Sequence, residues 1–287
     1  MINWLKALNN ALNYLEDNIL EKLNYDELAK IALCSKYHFL RTFTVLAGYP
    51  LGEYIRNRRL SLAAKDLITT NIKIIELAYK YGYETPEAFS KVFKRFHGIS
   101  PSIARKKQGM LKTVLPLSFQ LTIKGEERMD YKIVRKDSFK VVGLSKRVSM
   151  KNNKSYNTIP LFLQELVQSG NMDLITNNKI KSYGVGYDYD FEHELFSYLI
   201  AVDGENIEGL ENAIVLNIPS CTWAVFKCVG AMPQGIQEVW KRIYAEWLPA
   251  TKYEHALTPE LEVYYAGNHY AEDYVSEIWI PVIERKH

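Results

Sequence analysis

Apolar residues recur with helical spacing through the first hundred residues of the 287-residue chain and with strand-like alternation through most of the second half. In EAFSKVFKRFHGISPS, residues 87–102, Phe89, Val92, Phe93 and Phe96 take the i, i+3, i+4, i+7 positions of one helix face. Lys91, Lys94 and Arg95 then fall on the opposite face. A charged outer face of this kind is most often merely solvated. The surrounding pattern gives it a second meaning.

LAKIALCSKYHFLRTFTVLAGYP, from Leu28, is repeated about fifty residues later as LAYKYGYETPEAFSKVFKRFHGIS, from Leu77. Leu28 and Ala29 match Leu77 and Ala78, and Phe39, Phe43 and Gly48 match Phe89, Phe93 and Gly98 after a one-residue slip. Each copy is predicted to be a helix, a turn and a second helix. Asn24 and Ser35 supply caps, and Gly48 and Gly98 supply stops. Phe39, Phe43 and Leu46 form the inward stripe of the first copy, which places Lys36, Tyr37, Leu40, Arg41 and Thr44 outward. The outward set of the second copy is Pro86, Glu87, Ser90, Lys91, Lys94 and Arg95.

Such pairs occur in DNA-reading helix-turn-helix units and in plain helical hairpins. The connector favours the former. LGEYIRNRRLSLAAKDLITT, residues 51–70, reads as one helix up to roughly 30 Å long. That length suits two reading helices placed in successive major-groove segments, about 34 Å apart. Arg56, Arg58 and Arg59 on the spacer are then candidates for phosphate contacts.

SKYHFLRTF, LGEYIRNRRLSLAAKDL and IIELAYKYGYETPEAFSKVFKRFHGISPS together resemble the DNA-binding domain of the AraC/XylS family of transcription regulators. The resemblance covers most of residues 20–105 and implies double-stranded DNA as partner, with contact to RNA polymerase. By position it implies base-edge readers at Tyr37, Leu40 and Arg41 in the first unit and at Pro86, Glu87, Ala88 and Lys91 in the second. Arg41 can grip guanine O6 and N7 together. Pro86 and Glu87 cannot donate to a base acceptor, so Lys91, Lys94 and Arg95 are equally suited to phosphate.

Charge divides along the same line. Residues 1–110 hold 17 Lys+Arg against 10 Asp+Glu, and the remainder 19 against 23. A basic module suited to a polyanion therefore precedes an acidic one. Strand-like runs in the second part, KVVGLSKRV, KSYGVGYDY, ELFSYLIAV, TWAVFKCVG, ELEVYY and SEIWIPVIE, are interrupted by helical SYNTIPLFLQELVQ and PQGIQEVWKRIYAEWL. The order strand, strand, helix, strand, strand occurs twice, which predicts two α+β halves about a pseudo-twofold with a ligand crevice between them.

KSYGVGYDYD, NIPSCTWAVFKCVG and LEVYYAG…SEIWIPV resemble the GyrI-like effector-binding domain, over roughly residues 128–285. Reader first and pocket second resembles the Rob-type arrangement within the AraC family. The expected organisation is an all-α double helix-turn-helix domain over 1–108, a linker over 109–128 that adds an edge strand at most, and an α+β domain over 129–287.

From Ser155 onward the chain carries 19 Asp+Glu against 8 Lys+Arg, along with Trp223, Trp240, Trp247 and Trp279. Aromatic faces and carboxylates together suit an organic cation. The GyrI-like resemblance implies a ligand-binding carboxylate at Glu262, with Tyr264 beside it by strand alternation and Tyr187, Trp223 and Trp247 as candidate walls. The same glutamate would serve a small-molecule hydrolase as general base, and a protein-binding inhibitory module is a further alternative. No Gly-x-Ser-x-Gly, phosphate loop or metal-ligand spacing accompanies it, so no enzyme, cofactor or metal is expected. Three scattered cysteines and the lack of a signal-like or membrane-spanning apolar run lead to an expected cytoplasmic location.

Overall fold

A computed structural model describes residues 2–106, 109–120, 129–151, 154–177 and 179–285, in two compact units. The first comprises residues 1–39 and 51–122; the second comprises residues 40–50 and 123–287.

Among the described residues, the first part of the chain forms seven helices: α1 (Ile2–Asp17), α2 (Tyr25–Ile31), α3 (Lys36–Ala47), α4 (Leu51–Thr69), α5 (Ile74–Lys80), α6 (Pro86–His97) and α7 (Pro101–Arg105). The expected caps are present. Asn24 Oδ1 accepts from the Asp26 amide at 2.9 Å, and Ser35 Oγ from the His38 amide at 3.3 Å. Thr85 caps α6 through the Ala88 amide at 3.1 Å, Pro86 occupies the first turn, and Gly98 ends the helix with φ +86°. Phe89 and Phe93 are fully buried with Leu60, Ala63, Leu67, Leu77 and Tyr81, so one core joins α4, α5 and α6.

The spacer helix α4 is 19 residues, about 28 Å, and is buried along much of its length. Its Tyr54 hydroxyl and Arg58 guanidinium converge on Glu16 of α1 at 2.5 and 2.6 Å. Residues 109–120, within the expected linker, run extended but anchored. The amides of Lys112, Val114, Leu117 and Phe119 donate to His97 Nδ1, Ser61 Oγ, Tyr54 Oη and Asn9 Oδ1 at 2.9–3.2 Å. The described residues of this stretch form no strand, and 121–128 lie outside the described residues.

In the second unit the strands are β1 (Tyr131–Lys136), β2 (Phe139–Ser149), β3 (Lys181–Asp190), β4 (Leu195–Asp203), β5 (Ile214–Ile218), β6 (Cys221–Val229), β7 (Tyr253–His255), β8 (Glu260–Tyr265) and β9 (Val275–Glu284). Helices α8 (Lys154–Gln168) and α9 (Asn171–Thr176) lie between β2 and β3. Helix α10 (Gln234–Arg242) follows β6 and continues through a π turn at Ile243–Trp247 into α11 (Leu248–Ala250). All pairings are antiparallel, in the order β1-β6-β9-β8-β3-β4-β2-β5, with β7 added to β9.

This order is its own mirror under exchange of the two halves. β1 of the first half pairs with β6 of the second, and β5 of the second with β2 of the first. The pseudo-twofold therefore passes between β3 and β8 at the centre of the sheet. On one face, α10 packs over β6 and β9 through Phe226, Ile236, Trp240 and Ile278, and α8 packs over β2 and β4 through Val148, Phe162, Leu166 and Ile200. Between these two cores, over β3 and β8, the sheet is left open.

Candidate functional site

The opening is built by two complementary alternations. On β8 every second residue, Glu260, Glu262 and Tyr264, projects to the helix-covered face, while Leu261 and Val263 enter the core on the other. On β3 the residues opposite the carboxylates are glycines: Gly186 pairs with Glu260 and Gly184 with Glu262. A Cβ on Gly184 would lie 2.1 Å from the Tyr198 hydroxyl and 3.1 Å from Glu262, and one on Gly186 2.4 Å from the Tyr189 hydroxyl. The two glycines thus make room for the polar floor of a cavity of about 210 Å³. Its apolar walls include Ile159 and Leu163 of α8 and Ile236 and Trp240 of α10.

Glu262 accepts three hydrogen bonds, from Tyr198 at 2.6 Å, Tyr264 at 2.8 Å and Trp240 Nε1 at 2.7 Å. Burial and the adjoining carboxylate push the Tyr198 and Tyr264 hydroxyls well above the usual tyrosine range, so both stay protonated donors. Among the described residues no cationic side chain lies within ion-pair distance of Glu262.

Glu260, 2% exposed, is satisfied differently. Arg41 grips it through Nη2 at 2.6 Å and Nε at 3.2 Å, Tyr189 and Tyr244 donate at 2.9 and 2.7 Å, and His255 Nε2 lies 3.3 Å away. Burial pushes the Glu260 carboxyl upward, but the charge of Arg41 and the His255 contact outweigh it and hold the group well below the usual carboxylate range. The guanidinium also lies 5.1–5.7 Å from the ring centroids of Trp240, Tyr189 and Tyr244. It sits in a carboxylate-backed aromatic cage.

Of the residues expected at the ligand site, Glu262 and Tyr264 are brought together at the cavity. The other three are not. Tyr187 points to the opposite face of the sheet, where its hydroxyl meets Ser145 Oγ at 2.9 Å. Trp223 is fully buried on that same face, edge-on to Trp279. Trp247 ends the π turn and packs on Phe226, Tyr131 and Tyr253, away from the cavity lining. Glu260, Tyr189, Tyr198 and Trp240 were missed. An E-x-E alternation facing a G-x-G alternation is the signal that marks the first of them.

The expected DNA-reading residues also part company. On α6 the side chains of Glu87, Ala88, Lys91, Lys94 and Arg95 are exposed and Pro86 is half-buried. On α3 Lys36 is exposed beside Asp26 and Tyr37 is half-buried. Leu40, however, is 3% exposed, and Arg41 faces Glu260. In place of the expected phosphate contact, Arg58 is buried on Glu16 and donates to the Val114 carbonyl at 2.8 Å. Arg59 donates to the carbonyls of Ile19 and Glu21 at 2.6 and 2.7 Å, and Arg56 remains half-buried. Two of the three spacer arginines therefore fasten α4 to α1 and the turn after it.

No helix among the described residues is long and apolar enough to cross a membrane, and among them no group of three His, Cys, Asp or Glu is placed to hold a metal ion.

Residues 132–282 match the model of the integron-associated effector binding protein family, and residues 28–107 match a helix-turn-helix domain model. The chain is 42% identical over 98 residues to the HTH-type transcriptional activator AarP of Providencia stuartii, spanning 34% of this chain and 73% of that protein. It is 36% identical over 102 residues to the regulatory protein SoxS of Escherichia coli, spanning 36% of this chain and 95% of SoxS. A solved structure of SAV2435 bound to tetraphenylphosphonium aligns at a TM-score of 0.47 and 25% identity, covering 54% of this chain and 94% of that one.

Proposed function

This chain belongs to the AraC-type helix-turn-helix regulators and, through residues 132–282, to the integron-associated effector-binding family; from that premise we propose an activator governed by an organic cation bound at Glu262. It is a DNA-binding transcription regulator with a small-molecule effector domain. The finer reading rests on one observation: a carboxylate, with no counterion among the described residues, on the floor of an aromatic-walled cavity. Three of its roughly four acceptor positions are already filled by neutral donors. What remains unsatisfied is charge. A cation without hydrogen-bond donors, such as a quaternary ammonium with an apolar substituent, matches that demand through Coulomb attraction and the faces of Tyr198, Trp240 and Tyr264.

The same saturation argues for binding rather than turnover. A general base must hold the water or substrate proton it removes, and Glu262 already accepts from two tyrosines and a tryptophan. DNA is held by the exposed face of α6, with Lys91, Lys94 and Arg95 on phosphates and base edges. Contact with RNA polymerase completes the proposed activation in the cytoplasm.

Titration of the full chain with benzyltrimethylammonium tests the pocket. Glu262→Gln is expected to weaken binding about tenfold or more while DNA affinity is unchanged; equal affinity of the two forms removes Glu262 from the site. Selection of duplexes from a random pool tests the DNA arm. An enriched motif is expected, and recovery without sequence preference would indicate a packaging protein instead.

A further inference from the structure

Two carboxylates face the cavity, and they make different demands. Glu260 and Glu262 are two residues apart on one strand, so their side chains leave the backbone about 7 Å from each other on the same face. Glu262 accepts hydrogen bonds at three of its roughly four positions and has no counterion among the described residues. Glu260 has a counterion, and that counterion is a side chain of the protein.

The surroundings of Arg41 are those a ligand cation would need: a buried carboxylate, two tyrosine hydroxyls on that carboxylate, and three aromatic rings around the guanidinium. Thr44, Val45 and Gly48, from the same stretch of chain, also line the cavity. Arg41 is 16% exposed at its side chain, so it closes the Glu260 end. If the guanidinium withdraws, Tyr189 and Tyr244 continue to donate to Glu260 and His255 Nε2 stays 3.3 Å away, but the acceptor positions that Arg41 held become vacant. Only a group that carries both positive charge and N–H donors refills them; a quaternary ammonium does not.

We propose that Arg41 is a tethered stand-in for ligand at a second cation subsite, and that a dication bearing an N–H-rich head displaces it from Glu260 while its other charge settles at Glu262. This deepens the reading of Glu262 as a cation site and rests on it. The ligand class is narrowed to guanidines or primary amines with a second positive charge about 7 Å away. Displacement also returns to solvent the arginine that the helix-turn-helix resemblance places among the base readers. Ligand and DNA would then be coupled through one side chain, since a guanidinium held by Glu260 cannot also lie against a guanine edge.

Agmatine, which joins a guanidinium for Glu260 to an ammonium whose charge and one N–H meet Glu262 at its remaining acceptor position, is the probe. The full chain, labelled at arginine side-chain nitrogens, is titrated with agmatine and separately with benzyltrimethylammonium. The Arg41 Nε–H signal, identified by its loss in Arg41→Lys, is expected to be protected in the free protein. It should move to the solvent-exchanging position as agmatine saturates, and stay in place with benzyltrimethylammonium. Arg41→Lys keeps the charge but loses the planar two-point grip, so agmatine is expected to bind it about tenfold more tightly, with benzyltrimethylammonium affinity within about threefold.

Agmatine binding with the Arg41 signal unmoved overturns the proposal, as do equal agmatine affinities in wild type and Arg41→Lys. So does failure of agmatine to bind a protein that does bind benzyltrimethylammonium. Failure of benzyltrimethylammonium itself sinks the reading of Glu262 and is distinguished by that fact.

Discussion

Helices α3 and α6 are copies of one sequence pattern, twelve residues each, with paired phenylalanines on the inward face and basic residues outside. Their outer faces nevertheless have different fates. Lys91, Lys94 and Arg95 of α6 stand in solvent, whereas Arg41 of α3 is enclosed by Glu260, Tyr189, Trp240 and Tyr244. A helical pattern identifies an outward cation but not what the cation meets. Polyanion and buried carboxylate exploit the same chemistry, so under the proposed function α6 is a standing DNA contact and α3 a conditional one.

The contrast can be broken most severely at Arg41. Arg41→Ala leaves the Glu260 carboxyl buried without its guanidinium partner, and is expected to lower unfolding stability by about 3–5 kcal/mol. Lys91→Ala, on the exposed face of α6, should change it by no more than about 0.5 kcal/mol. Urea denaturation of the two variants measures the difference; similar losses would mean that the two cations have similar surroundings.

Acid sharpens the same comparison. The carboxyl of Glu260 lies below its unfolded value, so the stability it contributes is fully present above the ordinary glutamate pKa of about 4.3 and is lost as pH falls toward the depressed folded value. Thermal melts should therefore fall more steeply below about pH 4 in wild type than in Glu260→Gln. Parallel acid profiles would mean that Glu260 is not the titrating group.

The smallest effect concerns DNA. Lys94→Ala is expected to reduce the slope of log affinity against log salt by about 1, the signature of one lost phosphate contact. Arg58→Ala should leave that slope unchanged while destabilising the fold, because Arg58 is held by Glu16. A reduced slope for Arg58→Ala would restore it to the phosphate-contacting set.

Much of the architecture was legible because local rules operate there. Asn24, Ser35, Thr85 and Gly98 act through neighbours in the chain, and the repeated strand, strand, helix, strand, strand order appears as spacing alone. Glu262 and Tyr264 share a face by simple alternation. Parity was harder where both sheet faces are apolar. Tyr187 and Trp223 belong to the face that holds Tyr183, Val185 and Val225; β6 is apolar on both faces, and the glycines that alternate with Tyr183, Val185 and Tyr187 in β3 do not by themselves mark the helix-covered face.

Glu260 was legible in principle, two residues before Glu262 and opposite the second glycine of G-x-G, yet β-strand pairing had to be known to align them. The positions of Arg41 and Arg58 were not legible at all. Their partners lie 219 and 42 residues away, and an arginine on an outward position carries no local mark of a buried carboxylate waiting for it.

One titration bears on the whole proposal: affinity of the full chain for a selected duplex, with and without saturating agmatine. Release of Arg41 is expected to raise wild-type affinity about tenfold, and Glu260→Gln, which cannot hold the guanidinium as an ion pair, should bind the duplex at the higher affinity with no agmatine present. The same duplex affinity in wild type with and without agmatine, matched by Glu260→Gln, would contradict a cation-sensing pocket read out through Arg41.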